Sequence, residues 1–286
     1  MKKILITGKD SYIGNSLENW LMKEPDTYKV DIVDMKDELW REKDFSQYDV
    51  VFHVAGIAHV SSDSKLKDSY YKVNTELTVQ TAKKAKKDGV KQFIFMSSII
   101  VYGNDNGIIT KNIDPNPKDF YGDSKLRAEE EIKGLIDSEF KIVIIRPPMI
   151  YGKGSKGNYP RLAKLAKKAP IFPDIDNQRS MLHIDNLCEF LRLIIQNEEA
   201  GLFFPQNQEY VKTSEMVKLI GEVNGRKIRL IKLFNPIIKI FINKVNVLNK
   251  VFGNLVYDKS MSENIKFNYC IRQFKDSIKL TEGDEQ

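Results

Sequence analysis

Apolar residues along this chain follow two rhythms. Short apolar runs rich in Val, Ile and Phe, at residues 4–6, 30–33, 50–54, 93–96 and 142–145, have the length of strands and are short enough to be buried on both faces. Between and after them come stretches with apolar positions at helical spacing, at 12–23, about 69–87, 121–136, 184–196, 214–223 and 236–251. Buried strands alternating with helices predict an α/β fold, a Rossmann-like doubly wound parallel sheet covered by helices on both sides. The pattern changes after Arg146, where residues 147–158 hold two prolines and three glycines, a composition that suits a crossover into a smaller lobe. The expected organisation is a dinucleotide-binding unit over residues 1–146, rejoined by about 181–204, with the remainder of 147–286 mostly forming a C-terminal substrate-binding lobe. No internal repeat is present.

Composition narrows the class. With 286 residues, 42% of them hydrophobic and 29% charged, the chain has the make-up of a folded globular protein. Its two cysteines, Cys188 and Cys270, cannot build a disulfide framework. None of the three histidines stands at metal-ligand spacing, so no metal site is expected. The apolar run before Thr7 is far too short for a signal-peptide core, and the expected location is the cytoplasm. The net charge of +6 brings nucleic acid into view. The densest cluster, Lys83, Lys84, Lys86, Lys87 and Lys91, has no interleaved aromatic residue. It reads better as a solvated helix face, so no nucleic-acid partner is expected. Residues 236–252 are apolar at helical spacing with Lys239, Lys244 and Lys250 between. This segment could lie on an anionic membrane surface, although a lobe helix over the cleft or a subunit contact is the favoured reading. The lysines keep it from spanning a bilayer.

Candidate chemistry sits where strands end. Directly after the first strand stands Thr7-Gly8-Lys9-Asp10-Ser11-Tyr12-Ile13-Gly14. Gly8 permits a tight turn, Gly14 lets the helix pack on the strand, and the N–H groups around Ser11, Tyr12 and Ile13 are left to hold a pyrophosphate. Ser11 occupies a position where glycine is usual, so either its Cβ fits beside the phosphates or the backbone adopts an ordinary L-residue conformation there. Asp34, at the end of the second strand, is placed to accept hydrogen bonds from the adenine ribose hydroxyls and to repel a 2′-phosphate. NAD is therefore the expected cofactor, with NADP left open by Lys36 nearby. The stretch from Asp34 to Asp49 is too short for the usual second helix, and Asp44 within it is placed near the adenine. His53, inside an apolar strand, reads as a satisfied core histidine.

These motifs, together with Asp49-Val50-Val51-Phe52-His53-Val54-Ala55-Gly56, Ser97-Ser98-Ile99-Ile100-Val101-Tyr102-Gly103 and Tyr121-Gly122-Asp123-Ser124-Lys125, resemble the extended short-chain dehydrogenases/reductases, which include NAD-dependent sugar epimerases and dehydratases. The likeness runs from Met1 to about Asn186. A tyrosine followed four residues later by a basic residue is a weak sign alone, since twelve tyrosines and 45 basic residues give about two such pairs by chance. Its place at the opening of a helix, about twenty residues past a Ser-Ser pair that ends a strand, makes it informative. Positions i and i+4 share a helix face, so Lys125 can sit beside Tyr121 and favour a tyrosinate. The resemblance implies that Tyr121 exchanges the substrate proton and that Ser98 hydrogen-bonds the reacting sugar oxygen. It also implies that Lys125 holds the nicotinamide ribose, that Asn74 braces the cofactor surroundings, and that Ala55 and Gly56 border the dinucleotide. Arg179 matches an arginine that grips the diphosphate of a nucleotide sugar, while Met149 falls where many members carry a phosphate-contacting Asn.

Within that family, a 4,6-dehydratase would place Asp and Glu where Ile99 and Ile100 stand, so dehydration is not expected. The remaining readings are a 4-epimerase acting on a UDP-linked hexose through a 4-keto intermediate, a 4-keto-sugar-nucleotide reductase, and a non-catalytic dinucleotide-sensing regulator. The first is favoured, with a homodimer as the family expectation.

Overall fold

The computed structural model describes residues 1–57, 64–103, 107–242 and 244–283, apart from the side chains of Ser64 and Asn246. In chain order the elements are β1 (Lys2–Thr7), α1 (Tyr12–Leu21), β2 (Tyr28–Val33), β3 (Val50–His53), α2 (Lys67–Tyr70), α3 (Leu77–Lys87), β4 (Gln92–Met96), β5 (Gly107–Ile109), α4 (Phe120–Lys133), β6 (Lys141–Ile145) and β7 (Met149–Tyr151). They continue as α5 (Asn158–Ala166), β8 (Ile171–Pro173), β9 (Met181–His183), α6 (Ile184–Gln196), β10 (Gly201–Phe203), α7 (Thr213–Val223), β11 (Arg229–Ile231), α8 (Asn235–Phe241), α9 (Asn246–Phe252), β12 (Leu255–Tyr257) and α10 (Phe274–Glu282).

Six of the strands form one parallel sheet in the order β10-β6-β4-β3-β1-β2. The period-2 alternation of strands puts neighbouring residues on opposite faces. Thus Ile4 and Ile6, Ile94 and Met96, and Val143 and Ile145 share one core with α1 and α6 residues such as Leu17, Leu187 and Phe190. Leu5, Phe93, Phe95, Ile142 and Ile144 point the other way, onto Val79, Ala82 and Ala85 of α3 and Ala128 and Ile132 of α4. Both faces are covered, which is why these strands read as continuous apolar runs. The chain passes from β1 to β2 on one side and then returns across β1 to β3. The strand order therefore reverses between β1 and β3, the place where open α/β sheets bind ligands.

The expected strands are found, with β10 added at one edge, and two of the expected helices differ. As the short stretch from Asp34 to Asp49 implied, the crossover from β2 to β3 carries no α-helix, only a 3-10 turn at Glu38–Arg41. Buried Trp40 and Phe45 cover the sheet there in place of a helix. The helix expected at about 69–87 is interrupted by a π-helical turn at Tyr71–Glu76. The helix expected at 236–251 is two helices, α8 and α9, with Val245 extended between them; β-branched and Asn residues there favour the helix weakly. A further core forms away from the sheet, where Tyr151, Tyr159, Leu162, Phe172, Met216, Ile220 and Ile278 of the later elements meet.

Candidate active site

The first loop folds around Gly8, whose φ of +110° is one that L side chains rarely adopt. A Cβ there would stand 3.0 Å from the Ala55 nitrogen, so the turn brings β1 and the β3 exit into direct contact. The glycine usual three positions on is not needed, because Asp10 takes the left-handed conformation (φ 63°) and Ser11 stays extended (φ −71°, ψ 127°). Ser11 becomes the N-cap of α1, its Oγ accepting from the Gly14 N–H at 3.3 Å. Gly14 lies so close to β1 that a Cβ would stand 3.1 Å from Ile6 Cγ2. The N–H groups of Tyr12 and Ile13 lie in the first turn of α1, where a helix offers them no carbonyl and favours an anion. Asp34 directly follows β2, with Oδ1 accepting from the Lys36 N–H at 3.0 Å. Beside it lies an open cleft of about 510 Å³ lined by Lys9, Asp10, Asn15, Ile32 and Asp34.

Asp44 does not join this group. It is exposed, caps the Ser46 N–H at 2.8 Å, and lies ahead of β3, at the opposite end of the sheet from Gly8. The shortened crossover has already returned the chain to that end by residue 44.

At the β3 exit, buried Ala55 leads into Gly56. A Cβ on Gly56 would stand 2.9 Å from Asn74 Oδ1 and 3.1 Å from Lys125 Nζ, so only a bare backbone fits between these two side chains. Fully buried Asn74 sits in the π-helical turn. Its Oδ1 accepts from the Ile57 N–H at 2.8 Å, and its Nδ2 donates to the Ile57 carbonyl at 3.2 Å and to Ser124 Oγ at 3.0 Å. Those bonds tie the β3 exit to α4, which is a bracing arrangement. His53 is equally buried and satisfied. Thr78 donates to the Asn74 carbonyl and so accepts from His53 Nε2 at 3.0 Å, which leaves Nδ1 to accept from Thr7 Oγ1 at 2.7 Å.

Burial, with the Lys125 charge adding to it, pulls the His53 pKa from 6.5 down to about 3. Burial likewise takes His183 to about 4, opposed by Asp185. Both are neutral in the fold and take up protons only when it opens, so stability should decline as pH falls from 6.5 toward 3. Urea unfolding between pH 4 and 7 checks this, with a shallower slope expected for His53→Gln.

Tyr121 and Lys125 share one face of α4, whose N-cap Asp119 accepts from the Gly122 N–H at 2.8 Å. Gly122 was not singled out in the sequence, yet a Cβ there would stand 2.8 Å from the Ile100 carbonyl. This close approach brings the start of α4 onto the turn that Ser98 caps, where the Ser98 hydroxyl acts on the Tyr121 phenol. Burial raises the Tyr121 phenol above its usual 10, the Ser98 hydroxyl opposes the rise, and Asp119 and Tyr70 add to it. The lowering expected from Lys125 is not the governing influence. Lys125 Nζ instead donates to the Met96 carbonyl at 2.9 Å, beside Gly56 and over the Phe95 ring, and burial brings its pKa down to about 8. A phenol close to a hydroxyl can pass a proton, and a buried ammonium one turn along the same helix can steady a polar ligand.

Beneath this pair lies a group that the sequence reading passed over. Glu129, fully buried, continues the four-residue spacing of Tyr121 and Lys125, and it accepts from Ser97 Oγ. Arg146 at the β6 exit donates to it through Nε at 3.1 Å and Nη2 at 2.6 Å, and through Nη1 to Tyr102 at 2.7 Å. The spacing was the available signal. On the later side of the chain, Arg179 is partly buried, donates from Nη1 to the Gly253 carbonyl at 3.0 Å, and has its pKa lowered by burial to about 10. No carboxylate pairs with it among the described residues. Met149 packs toward the later core instead of presenting a polar group.

A parallel sheet with a glycine turn at its reversal point, and a Ser-Tyr-Lys group on the adjoining strand end and helix, define a dinucleotide-dependent enzyme of the short-chain dehydrogenase/reductase type. The model of the NAD dependent epimerase/dehydratase family matches residues 4–204, and the chain belongs to that family. The family is NAD dependent, and the chain is an enzyme of the extended short-chain dehydrogenase type. It is 33% identical over 243 residues to UDP-glucose 4-epimerase of Vibrio cholerae, covering 76% of this chain and 74% of that protein. It is 29% identical over 232 residues to N-acetyl-alpha-D-glucosaminyl-diphospho-ditrans,octacis-undecaprenol 4-epimerase of Escherichia coli O157:H7, covering 78% and 69%. Among solved structures it shares its fold with UDP-glucuronic acid 4-epimerase from Bacillus cereus in complex with NAD (TM-score 0.75, 19% identity, 98% and 97% covered). It does so equally with a dTDP-4-dehydrorhamnose reductase from Clostridium acetobutylicum (TM-score 0.75, 21% identity, 98% of each chain covered).

Proposed function

We propose that the protein inverts the C4 centre of a UDP-linked hexose. The observation that carries this reading is the start of α4, with Tyr121, packed through Gly122 onto the Ser98-capped turn at the open end of β4, and the Lys125 ammonium held between Gly56 and the Met96 carbonyl. The bare cradle of Gly8, Gly14 and Gly56 fits a dinucleotide, since a Cβ at any of the three would meet neighbouring atoms at 3.1 Å or less. On this reading Ser11, Tyr12, Ile13 and Gly14 hold the pyrophosphate, Asp34 the adenine ribose, and Lys125 the nicotinamide ribose. Ala55 borders the ring, and Asn74 braces it from behind. Bound NAD supplies a two-electron hydride acceptor that can return what it takes.

Tyr121 removes the C4 hydroxyl proton while Ser98 donates a hydrogen bond to the same oxygen, which becomes the carbonyl as the C4 hydrogen departs with its electron pair. Arg179 keeps the diphosphate, two parallel N–H donors facing one phosphate. The 4-keto sugar turns its other face, C4 would regain there the hydride that the bound NAD had taken, and Tyr121 returns the proton to the oxygen. Ile99, buried, and Ile100 offer no carboxylate for elimination of water, in keeping with epimerisation. A homodimer is part of the same reading and is checked by light scattering.

The second reading, reduction of a 4-keto sugar nucleotide, uses the same residues but exchanges its cofactor each turnover; the likeness to a reductase fold keeps it in play. Mass spectrometry of the purified protein distinguishes them. Retained NAD and conversion of UDP-hexose without added cofactor support epimerisation, while an empty site that consumes NADPH with a 4-keto sugar nucleotide overturns it. Asp34 gives a further expectation: replacing it by Ser should improve the Kd for NADP relative to NAD by about tenfold or more, because a carboxylate no longer faces the 2′-phosphate. Isothermal titration with both nucleotides measures the ratio.

A further inference from the structure

Helices α8 and α9 are apolar on both sides. Ile238, Ile242, Leu248 and Val251 turn inward and pack on the later core, with Phe252 buried in it. Opposite them Ile237 (59% exposed), Ile240 (63%) and Phe241 (45%) stand at i, i+3 and i+4 on α8, flanked by Leu233 (78%) and Val247 (68%). A surface helix normally turns polar residues outward, and a run of large apolar side chains left in water marks a surface that meets another phase or molecule.

The charge around this face says which. From Val223 to Tyr257 there is no Asp or Glu, while Arg226, Lys227, Arg229, Lys232, Lys239, Lys244 and Lys250 all fall within it, so the seven positive charges of this segment exceed the chain's net charge of +6. Lys232, Lys239 and Lys244 are exposed beside the apolar residues. A second copy of the chain would bring this basic face against itself across a two-fold axis, where like charges repel. An anionic bilayer offers acyl chains to the isoleucines and phosphate charge to the lysines. Each helix has seven residues and none of the described helices is long and apolar enough to cross a membrane, so the contact is interfacial.

We propose that the outward face of α8 and α9 docks the protein on the surface of an anionic lipid bilayer. The inference stands apart from the reaction assigned above. The face is nevertheless joined to the candidate site, because the carbonyl that Arg179 holds belongs to Gly253, the residue that ends α9. Asn177 holds the Val251 and Gly253 carbonyls as well.

Sedimentation of the full chain with vesicles tests this. Binding to equimolar phosphatidylglycerol and phosphatidylcholine vesicles should exceed binding to phosphatidylcholine alone by about tenfold, and salt should weaken it. The double substitution Ile237→Asp and Ile240→Asp, at exposed positions that leave the core intact, should lower partitioning by about tenfold or more. Lys239→Gln should lower it by about fivefold, with thermal melting unchanged for every variant. Three outcomes overturn the proposal: no pelleting with anionic vesicles, pelleting indifferent to the isoleucine substitutions, or a dimer in light scattering that those substitutions dissolve.

Discussion

Replacing Tyr121 by Phe should reduce turnover of a sugar nucleotide by about 10²- to 10⁴-fold while changing NAD affinity by no more than about twofold. The phenol oxygen is the atom that would exchange a proton with substrate, and it is the group on which Ser98 acts that the substitution deletes. The ring, packed near Tyr70, stays in place. Titration with NAD and steady-state kinetics on the same preparation read both quantities. Turnover that survives the substitution would remove Tyr121 from the chemistry and favour a protein that senses the dinucleotide without acting on substrate. The direction of the Tyr121 shift gives a companion expectation. Since burial holds the phenol above 10 in the protein alone, its ionisation near neutrality depends on positive charge arriving with the cofactor. Ultraviolet difference spectra should therefore report tyrosinate at lower pH with NAD bound than without it.

The second large effect belongs to stability. Glu129 and Arg146 are both almost completely buried, 0% and 3% exposed, and meet through two donors of the guanidinium. Glu129→Gln keeps the shape but leaves the guanidinium charge without its counter-ion in a dry setting, an arrangement that costs about 3–5 kcal/mol. For a chain of this size that is a fall in Tm of roughly 10 °C. Replacing both residues, Glu129→Leu with Arg146→Met, should restore much of the loss, because no buried charge is left alone. Scanning calorimetry on the parent protein and the two variants measures it. A double variant no better than the single one would locate the cost in the hydrogen bonds to Ser97 and Tyr102 and away from the charge.

How much of this could be read in advance depends on how local the cause is. Five of the six strands of the large sheet were legible because burial on two faces writes a mostly apolar run into each, whereas β10, three residues long and opened by Gly201, is too short to stand out. The Gly8 turn and the Tyr121–Lys125 spacing were legible because each is complete within a few residues. Asp44 was misplaced for the opposite reason: its position depends on Trp40 and Phe45 covering the sheet, so that the chain needs no helix to cross it. Gly122 went unnoticed because its φ is ordinary, and its need for a missing Cβ arises from the Ile100 carbonyl on another element. Lys125 was assigned to Tyr121 by spacing, while the β4 end supplies the carbonyl that holds it. Ser11 left two conformations open, and the positive φ at Asp10 decides between them.

The borders of the large sheet carry one more consequence. At one border β10 offers only three residues, and at the other β2 carries Lys29 and Asp31 among its six. A visiting strand would gain few ladder bonds at the first and would have to bury or displace charge at the second, which is how natural sheets resist growing by edge addition. These edges therefore disfavour fibrous growth, and self-association of this protein would have to use other surfaces.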